Sequence, residues 1–315
     1  MGIRLWRHQQ QTFSLHDGSM TFATKKLVHV QKNNSVFWVG DGFPVVRPFS
    51  FSSMASLVSP FLLMDYVVPY HFKPSPHRRG VGAHPHRGIE TVTLVFQGEI
   101  EHRDSFGGGG VIGPGEVQWM TAGAGVVHDE RHSAGFSAHG GVLELIQLWV
   151  NLPSREKMTN PRYQSLKREN IPQVELPGNR GLLNVVAGEF GGARGPAVTH
   201  TPIDLWTVAA ASEGPVQLHL RKNSSALIFI RKGKIRISEH QVIQEGNIVI
   251  FDREGQSIEF WIEQPTELVV LSGEAINEPI VAHGPFVMNT QAEIIQAYAD
   301  FENGKMGQIK TVESE

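Results

Sequence analysis

The sequence predicts an all-β protein built from two β-barrels or jelly rolls, with a single helix near the C-terminus. Three observations predict it. Short apolar runs rich in Val, Ile, Leu and Phe recur along the 315 residues, and the 33 glycines and 18 prolines fall between them as turns, not as a repeat. A strand, glycine turn, strand layout occurs in two blocks separated by a charged stretch. Only one segment, near residue 290, combines helical periodicity with a capping signal.

The elements follow in order. Residues 1–24 are polar and weakly patterned and read as a flexible N-terminal extension, with room for one added strand. Strand-like sequence starts at Leu27. Pro60-Phe61-Leu62-Leu63-Met64-Asp65-Tyr66-Val67-Val68 reads as a buried strand, and residues 73–79 as an exposed loop. Thr91-Val92-Thr93-Leu94-Val95-Phe96 is rich in β-formers and ends at Gln97-Gly98. Glycines 107–110, Gly113-Pro114-Gly115 and residues 122–125 mark further turns, and residues 143–150 form the last strand of the block. The charged stretch 151–180 reads as a linker with one or two helical turns. The second block includes Ala226-Leu227-Ile228-Phe229-Ile230, the turn Lys232-Gly233-Lys234, Ile248-Val249-Ile250-Phe251 and Leu268-Val269-Val270-Leu271. It repeats the architecture of the first without its sequence. Thr290-Gln291-Ala292-Glu293 has capping-box spacing. Ile294, Ile295, Ala297, Tyr298 and Phe301 form an apolar stripe for docking on a barrel, and Gly304 is a stop.

Composition narrows the function. A net charge of -3 gives no electrostatic case for direct nucleic-acid or membrane binding. The absence of cysteine excludes disulfides, thiolate ligands and a cysteine nucleophile. No apolar run is long enough to span a bilayer and no signal-peptide pattern opens the chain, so a cytoplasmic location is expected.

The chemistry is carried by two i, i+2 pairs, His84-Pro85-His86 and His128-Asp129-Glu130. Alternate residues of a strand leave the same face, so each pair can aim two ligands at one point. Two such strands facing each other inside a barrel would supply four nitrogen and oxygen ligands, suited to a divalent transition metal. Asp129 then points away and is exposed or structural. His102 and His132 lie near these pairs in sequence, but their partners are not evident.

His84, His86, Glu90 and Gly98 fit His-x-His-x3-Glu-x7-Gly, which resembles the first cupin motif. The stretches 84–92, Gln118-Trp119-Met120-Thr121-Ala122-Gly123, Gln147-Leu148-Trp149-Val150-Asn151-Leu152 and His283-Gly284-Pro285-Phe286-Val287-Met288-Asn289-Thr290 resemble the pirin family in order and spacing. The resemblance spans about residues 25–310 and implies a bicupin, two cupin (jelly-roll) barrels facing each other with the C-terminal helix packed on them. The expected divisions are an extension (1–24), a metal-binding cupin barrel (25–152), a linker (153–180), a cupin barrel without metal (181–272), and a tail with the helix (273–315). The general cupin motif takes its carboxylate at Glu90. The pirin pattern instead implies His84, His86, His128 and Glu130 as ligands, leaving Glu90 to orient a ligating imidazole.

The resemblance also implies one divalent metal, Fe(II) first, with Mn, Co, Ni, Cu or Zn as alternatives. It implies a quercetin 2,3-dioxygenase activity that opens a flavonol ring with O2 and releases carbon monoxide. Glu130 would take the proton of the flavonol hydroxyl, and Phe96, Trp119 and Met120 are candidate apolar contacts to the substrate, with core packing as their other reading. A different class is a non-catalytic iron-binding regulator acting through protein partners. A third is an idle bicupin with a structural metal.

Overall fold

A computed structural model describes residues 23–309, so the expected extension lies outside it except for its last two residues, of which Thr24 bridges to Ser257. The recurring apolar runs form two copies of one arrangement, a seven-stranded sheet packed on a four-stranded sheet, with every pairing between named strands antiparallel. In the first copy the larger sheet runs Arg162–Leu166, Val117–Thr121, Ile89–Gln97, Gly141–Asn151, Phe61–Phe72, Phe43–Ser50, Phe37–Val39. Its smaller sheet runs Gly80–His86, Val126–His132, Ile100–Asp104, Gly109–Ile112. The second copy repeats the plan with residues from Gly181–Ala187 through Thr266–Gly273.

The two copies do not divide cleanly along the chain. Leu27–Lys32, which the sequence grouped with the first barrel, pairs with Asn247–Phe251 in the second. The stretch taken as a linker supplies an edge strand to each large sheet, Arg162–Leu166 to the first and Gln173–Glu175 to the second. Each covers backbone groups that an open edge would leave unpaired. The linker also holds two short 3-10 turns, Ser154–Glu156 and Arg168–Asn170. An α-helix at Phe51–Val58, capped by Ser50, was not legible, because its Ser-rich sequence carries little helical propensity.

The large sheets face each other, which explains why their strands read as unbroken apolar runs. Leu227 and Phe229 enter a core shared with Val92, Leu94, Trp119 and Leu148 of the first barrel, while Ala226, Ile228 and Ile230 point into their own barrel. A strand buried on both faces shows no alternation.

The helix Gln291–Glu302 begins with the capping box that the spacing predicts, Thr290 and Glu293 bonding reciprocally. Its buried stripe is narrower than expected. Ile294 and Ala297 are buried, but Ile295 and Phe301 are exposed. The inward face is completed by Asp300, which pairs with buried Arg87 at 2.9 Å.

Arg87-Gly88 is the corner where the chain leaves the small sheet and enters the large one. Gly88 has φ +76°, and a Cβ there would lie 2.1 Å from the Val287 carbonyl oxygen. Lys157 reaches this corner from the linker. Its buried Nζ donates to Gly88 O (2.9 Å), Asn151 Oδ1 (2.8 Å) and Val287 O (2.8 Å). Burial pushes the ammonium down to about 8, against the opposing pull of Glu278 and Glu293. Lys157→Met should leave three acceptors unpaired and cost about 3 kcal/mol, lowering the thermal midpoint by roughly 6–12 °C in a circular-dichroism melt.

Candidate metal centre

The two sequence pairs meet as neighbours in one sheet, not as strands facing each other across the barrel. Val126–His132 is central in the small sheet, with Gly80–His86 on one side and Ile100–Asp104 on the other. His128 lies directly opposite His84, and Val126 opposite His86. The pairing then slips before Glu130, which lies opposite Val81. Such a bulge re-aims the side chains beside it.

His84, His86 and His128 each offer a ring nitrogen within 4.8 Å of the others. His84 Nδ1 lies 2.8 Å from Gly82 O and His86 Nδ1 lies 3.1 Å from Pro285 O, so both act as donors there. That leaves each Nε2 as the free lone pair. His128 Nε2 is buried and has no hydrogen-bond partner among the described residues. An unpaired buried nitrogen beside two such imidazoles fits a divalent metal ion. Burial, reinforced by neighbouring His84, pushes His86 down to about 3 and His128 well below the ordinary imidazole value. Both rings are therefore in the neutral, ligating form.

Glu130 groups with His102 and His128, its oxygen within 4.8 Å of their ring nitrogens. Its carboxylate accepts from Gln118 Nε2 at 2.7 Å on one oxygen and Gln147 Nε2 at 2.6 Å on the other. Both glutamines project from the large sheet, so Glu130 ties the two sheets together across the barrel interior. Asp129 points to the other face, buried in ion pairs with Arg103 and Arg131.

Glu90 does not reach the histidines. Its spacing of four from His86 would put both on one face only along a continuous strand, and the Arg87-Gly88 corner, where the register restarts in another sheet, interrupts it. Thr93, three residues on, faces the cavity, so Glu90 faces the opposite side with Val92 and Leu94. There it accepts from Thr121 Oγ1 at 2.7 Å, and burial pushes its carboxyl up to about 7 against the pull of Thr121 and Trp119. The imidazoles hydrogen-bond to the backbone carbonyls of Gly82 and Pro285 and to His102 instead.

Phe96, Trp119 and Met120 also lie elsewhere. Phe96 sits at the junction of the barrels with the Arg231 guanidinium 3.8 Å above its ring. Trp119 is fully buried in the core shared by the barrels, and Met120 in a small cluster with Leu62, Ile89 and Val126. Strand alternation decides this for Phe96 and Trp119, since Thr93 and Gln118 take the inward face and those two the outer one, whereas Met120 shares the face of Gln118 and packs further along the strand. The cavity beside the histidines encloses about 250 Å³, and its apolar wall includes Val39, Phe43, Val67, Ile100, Leu145 and Trp149. The Trp149 ring meets His86 edge-on at 5.0 Å. Arg47 and Asp65, in a bidentate pair at 2.7 and 2.8 Å, also line it, as does Pro285 from the tail.

The sequence profile described as Pirin matches residues 42–150, and that of the Pirin C-terminal cupin domain matches residues 205–307. A Pseudomonas aeruginosa protein that carries a provisional quercetin 2,3-dioxygenase name is 47% identical over 281 residues, covering 89% of this chain and 98% of its own. The chain belongs to the pirin family. Human pirin is 37% identical over 257 residues, 79% of this chain and 83% of that one. A crystal structure titled quercetin 2,3-dioxygenase, from Acinetobacter baumannii, matches with TM-score 0.88 and 45% identity over 91% of this chain and 100% of that chain. In this pirin both groups of converging metal-ligand side chains found among the described residues lie in the first barrel.

The neutral imidazoles set a pH dependence. Two ordinary imidazoles must each lose a proton to bind a metal, weakening affinity by about a hundredfold per pH unit below their pKa. Burial holds His86 neutral down to about 3 and pushes His128 well below the ordinary imidazole value, so neither has a proton to release over this range. Between pH 7.5 and 5.5 the affinity should therefore fall by far less than two ordinary imidazoles dictate. Titration calorimetry in buffers of different ionisation enthalpy measures both the affinity and the protons released.

Proposed function

We propose that this pirin is a metal-dependent dioxygenase that opens the ring of a flavonol such as quercetin. The observation that carries the reading is the convergence of three imidazoles, one with an unpaired buried nitrogen, at the side of an apolar cavity of about 250 Å³. A cavity of this kind suits a flat aromatic molecule. The names carried by the Pseudomonas and Acinetobacter relatives support the same substrate class.

His84, His86, His128 and Glu130 would hold the ion, with Fe(II) the first choice and Mn, Co, Ni, Cu or Zn as alternatives. When bound, the ion supplies Lewis acidity and, with a redox-active ion such as Fe(II), redox activity toward dioxygen. The rest falls to the chain. Trp149, Phe43 and Leu145 exclude water and hold the aromatic rings against the histidines. Glu130 receives the proton of the flavonol hydroxyl. Its Oε1 accepts from the Gln118 amide and the Thr93 hydroxyl, while Oε2 accepts only from the Gln147 amide and keeps a lone pair for that proton. The polar pair Arg47–Asp65 offers hydrogen bonds to hydroxyls elsewhere on the substrate. The net reaction consumes one O2 per flavonol and releases carbon monoxide from the opened ring.

Oxygen uptake and carbon monoxide release with quercetin test the reading. The metal-loaded protein should show both. His84→Ala should abolish them, and Glu130→Gln should lower kcat by about 10²–10⁴-fold, the usual worth of a general base. Full metal occupancy without flavonol turnover, across several divalent ions, would sink the proposal.

A further inference from the structure

The strand Ile100–Asp104 brings a third inward-facing i, i+2 pair, His102 and Asp104, against the central strand that carries His128 and Glu130. Asp104 lies opposite His128, and His102 opposite Glu130. His102 Nδ1 lies 3.2 Å from His128 Nδ1, and His102 Nε2 lies 3.4 Å from Asp104 Oδ2. His102 and His128 are fully buried, so no water competes for these contacts. Tyr163 stacks on the His102 ring at 4.9 Å and an angle of 21°. Asp104 is itself anchored, its Oδ1 accepting from the backbone N–H of Phe106 at 2.8 Å and of Gly108 at 2.9 Å.

Hydrogen counting leaves one consistent arrangement of neutral rings. Asp104 has only acceptors, so His102 presents its proton on Nε2 toward Asp104 Oδ2. His102 Nδ1 is then a bare lone pair, and His128 can meet it only by donating from its own Nδ1. The His128 Nε2 lone pair is thereby directed to the point shared with His84 and His86. We infer that His102 and Asp104 are positioning residues that fix the metal-binding tautomer of His128 through an Asp104–His102–His128 relay. The inference rests on the metal-centre reading and extends it, because neither residue is assigned a ligand role. The alternative is a second cation held by His102, His128 and Glu130, which also offer ligand atoms within reach of one another. The tautomer arrangement is favoured because it uses Asp104, which that second cation would leave unexplained.

Two measurements test this. Long-range ¹H–¹⁵N spectra of the metal-free full chain read each histidine tautomer directly. Nε2–H on His102 with Nδ1–H on His128 is the expected result, and the reverse assignment overturns the relay whether or not the protein binds metal. The second measurement is a Co(II) titration against a competing chelator, with melting curves as the folding control. Asp104→Asn keeps shape and the contacts to Phe106 and Gly108 but turns a donor toward His102 Nε2. It should move the His102 proton to Nδ1, oppose the His128 donor, and weaken Co(II) binding by about 10- to 100-fold. His102→Phe keeps the stack on Tyr163 and should cost a similar factor. His102→Asn places an amide oxygen near the Nδ1 position and should restore most of the affinity. Unchanged affinity in both Asp104→Asn and His102→Phe overturns the inference. So does a second Co(II) equivalent that disappears in His102→Phe, since His102 would then be a ligand. A wild-type chain that takes up no divalent ion defeats the metal-centre reading, while the tautomer spectra still decide the relay.

Discussion

The buried ammonium of Lys157 ties together three separate parts of the chain. Its hydrogen bonds to Gly88, Asn151 and Val287 join the corner of the first barrel, the end of that barrel's central long strand, and the tail that returns from the second barrel. Arg87, one residue from the same corner, reaches Ala124 O and Asp300, so the terminal helix is fastened to the same point. Both cations are buried among acceptors that satisfy them, which is the condition for keeping a charge inside a protein. The site depends on this knot. His86 directly precedes the corner, and Pro285, whose carbonyl oxygen orients its ring, sits in the tail that the knot holds down.

The first barrel's interior is divided between chemistry and packing by its two sheets. The small sheet carries the histidines, and the large sheet carries Thr93, Gln118, Gln147 and Asp65 as one polar row in cross-strand register. The glutamines of that row restrain Glu130, and Asp65 restrains Arg47. The outer face of the same large sheet is apolar and packs on the second barrel. That barrel is filled by its own hydrophobic cluster, and its shared core gives the site a stiff wall.

Much of the site was legible. The i, i+2 spacing picked out His84, His86 and His128, whose ring nitrogens the fold brings together, and Glu130, which converges with His128 and His102, because alternation within one strand is a local property. The same spacing marks His102 and Asp104, a signal present in the sequence and passed over because two polar residues two apart have no meaning until their neighbouring strand is known. Glu90 shows the opposite failure. Its parity with His86 holds only along a continuous strand, and the Arg87-Gly88 corner interrupts it. Phe96 and Trp119 were drawn toward the site by their aromatic character, yet both lie on the face that the second barrel covers.

The sequence by itself determined the all-β class, the doubled strand plan, the capped terminal helix and the residue types of a candidate nitrogen and oxygen metal centre. These follow from local rules of alternation, turn chemistry and capping, each spanning a few residues. Tertiary structure alone decided which strands are neighbours, which face of each meets the cavity, and that Leu27–Lys32 and the linker strands complete sheets far away in the chain. It also decided that the His128 ring meets His102 and that the His86 ring meets Pro285, 199 residues away. Those choices depend on which buried polar groups can find partners, and a partner is a fact about position in space.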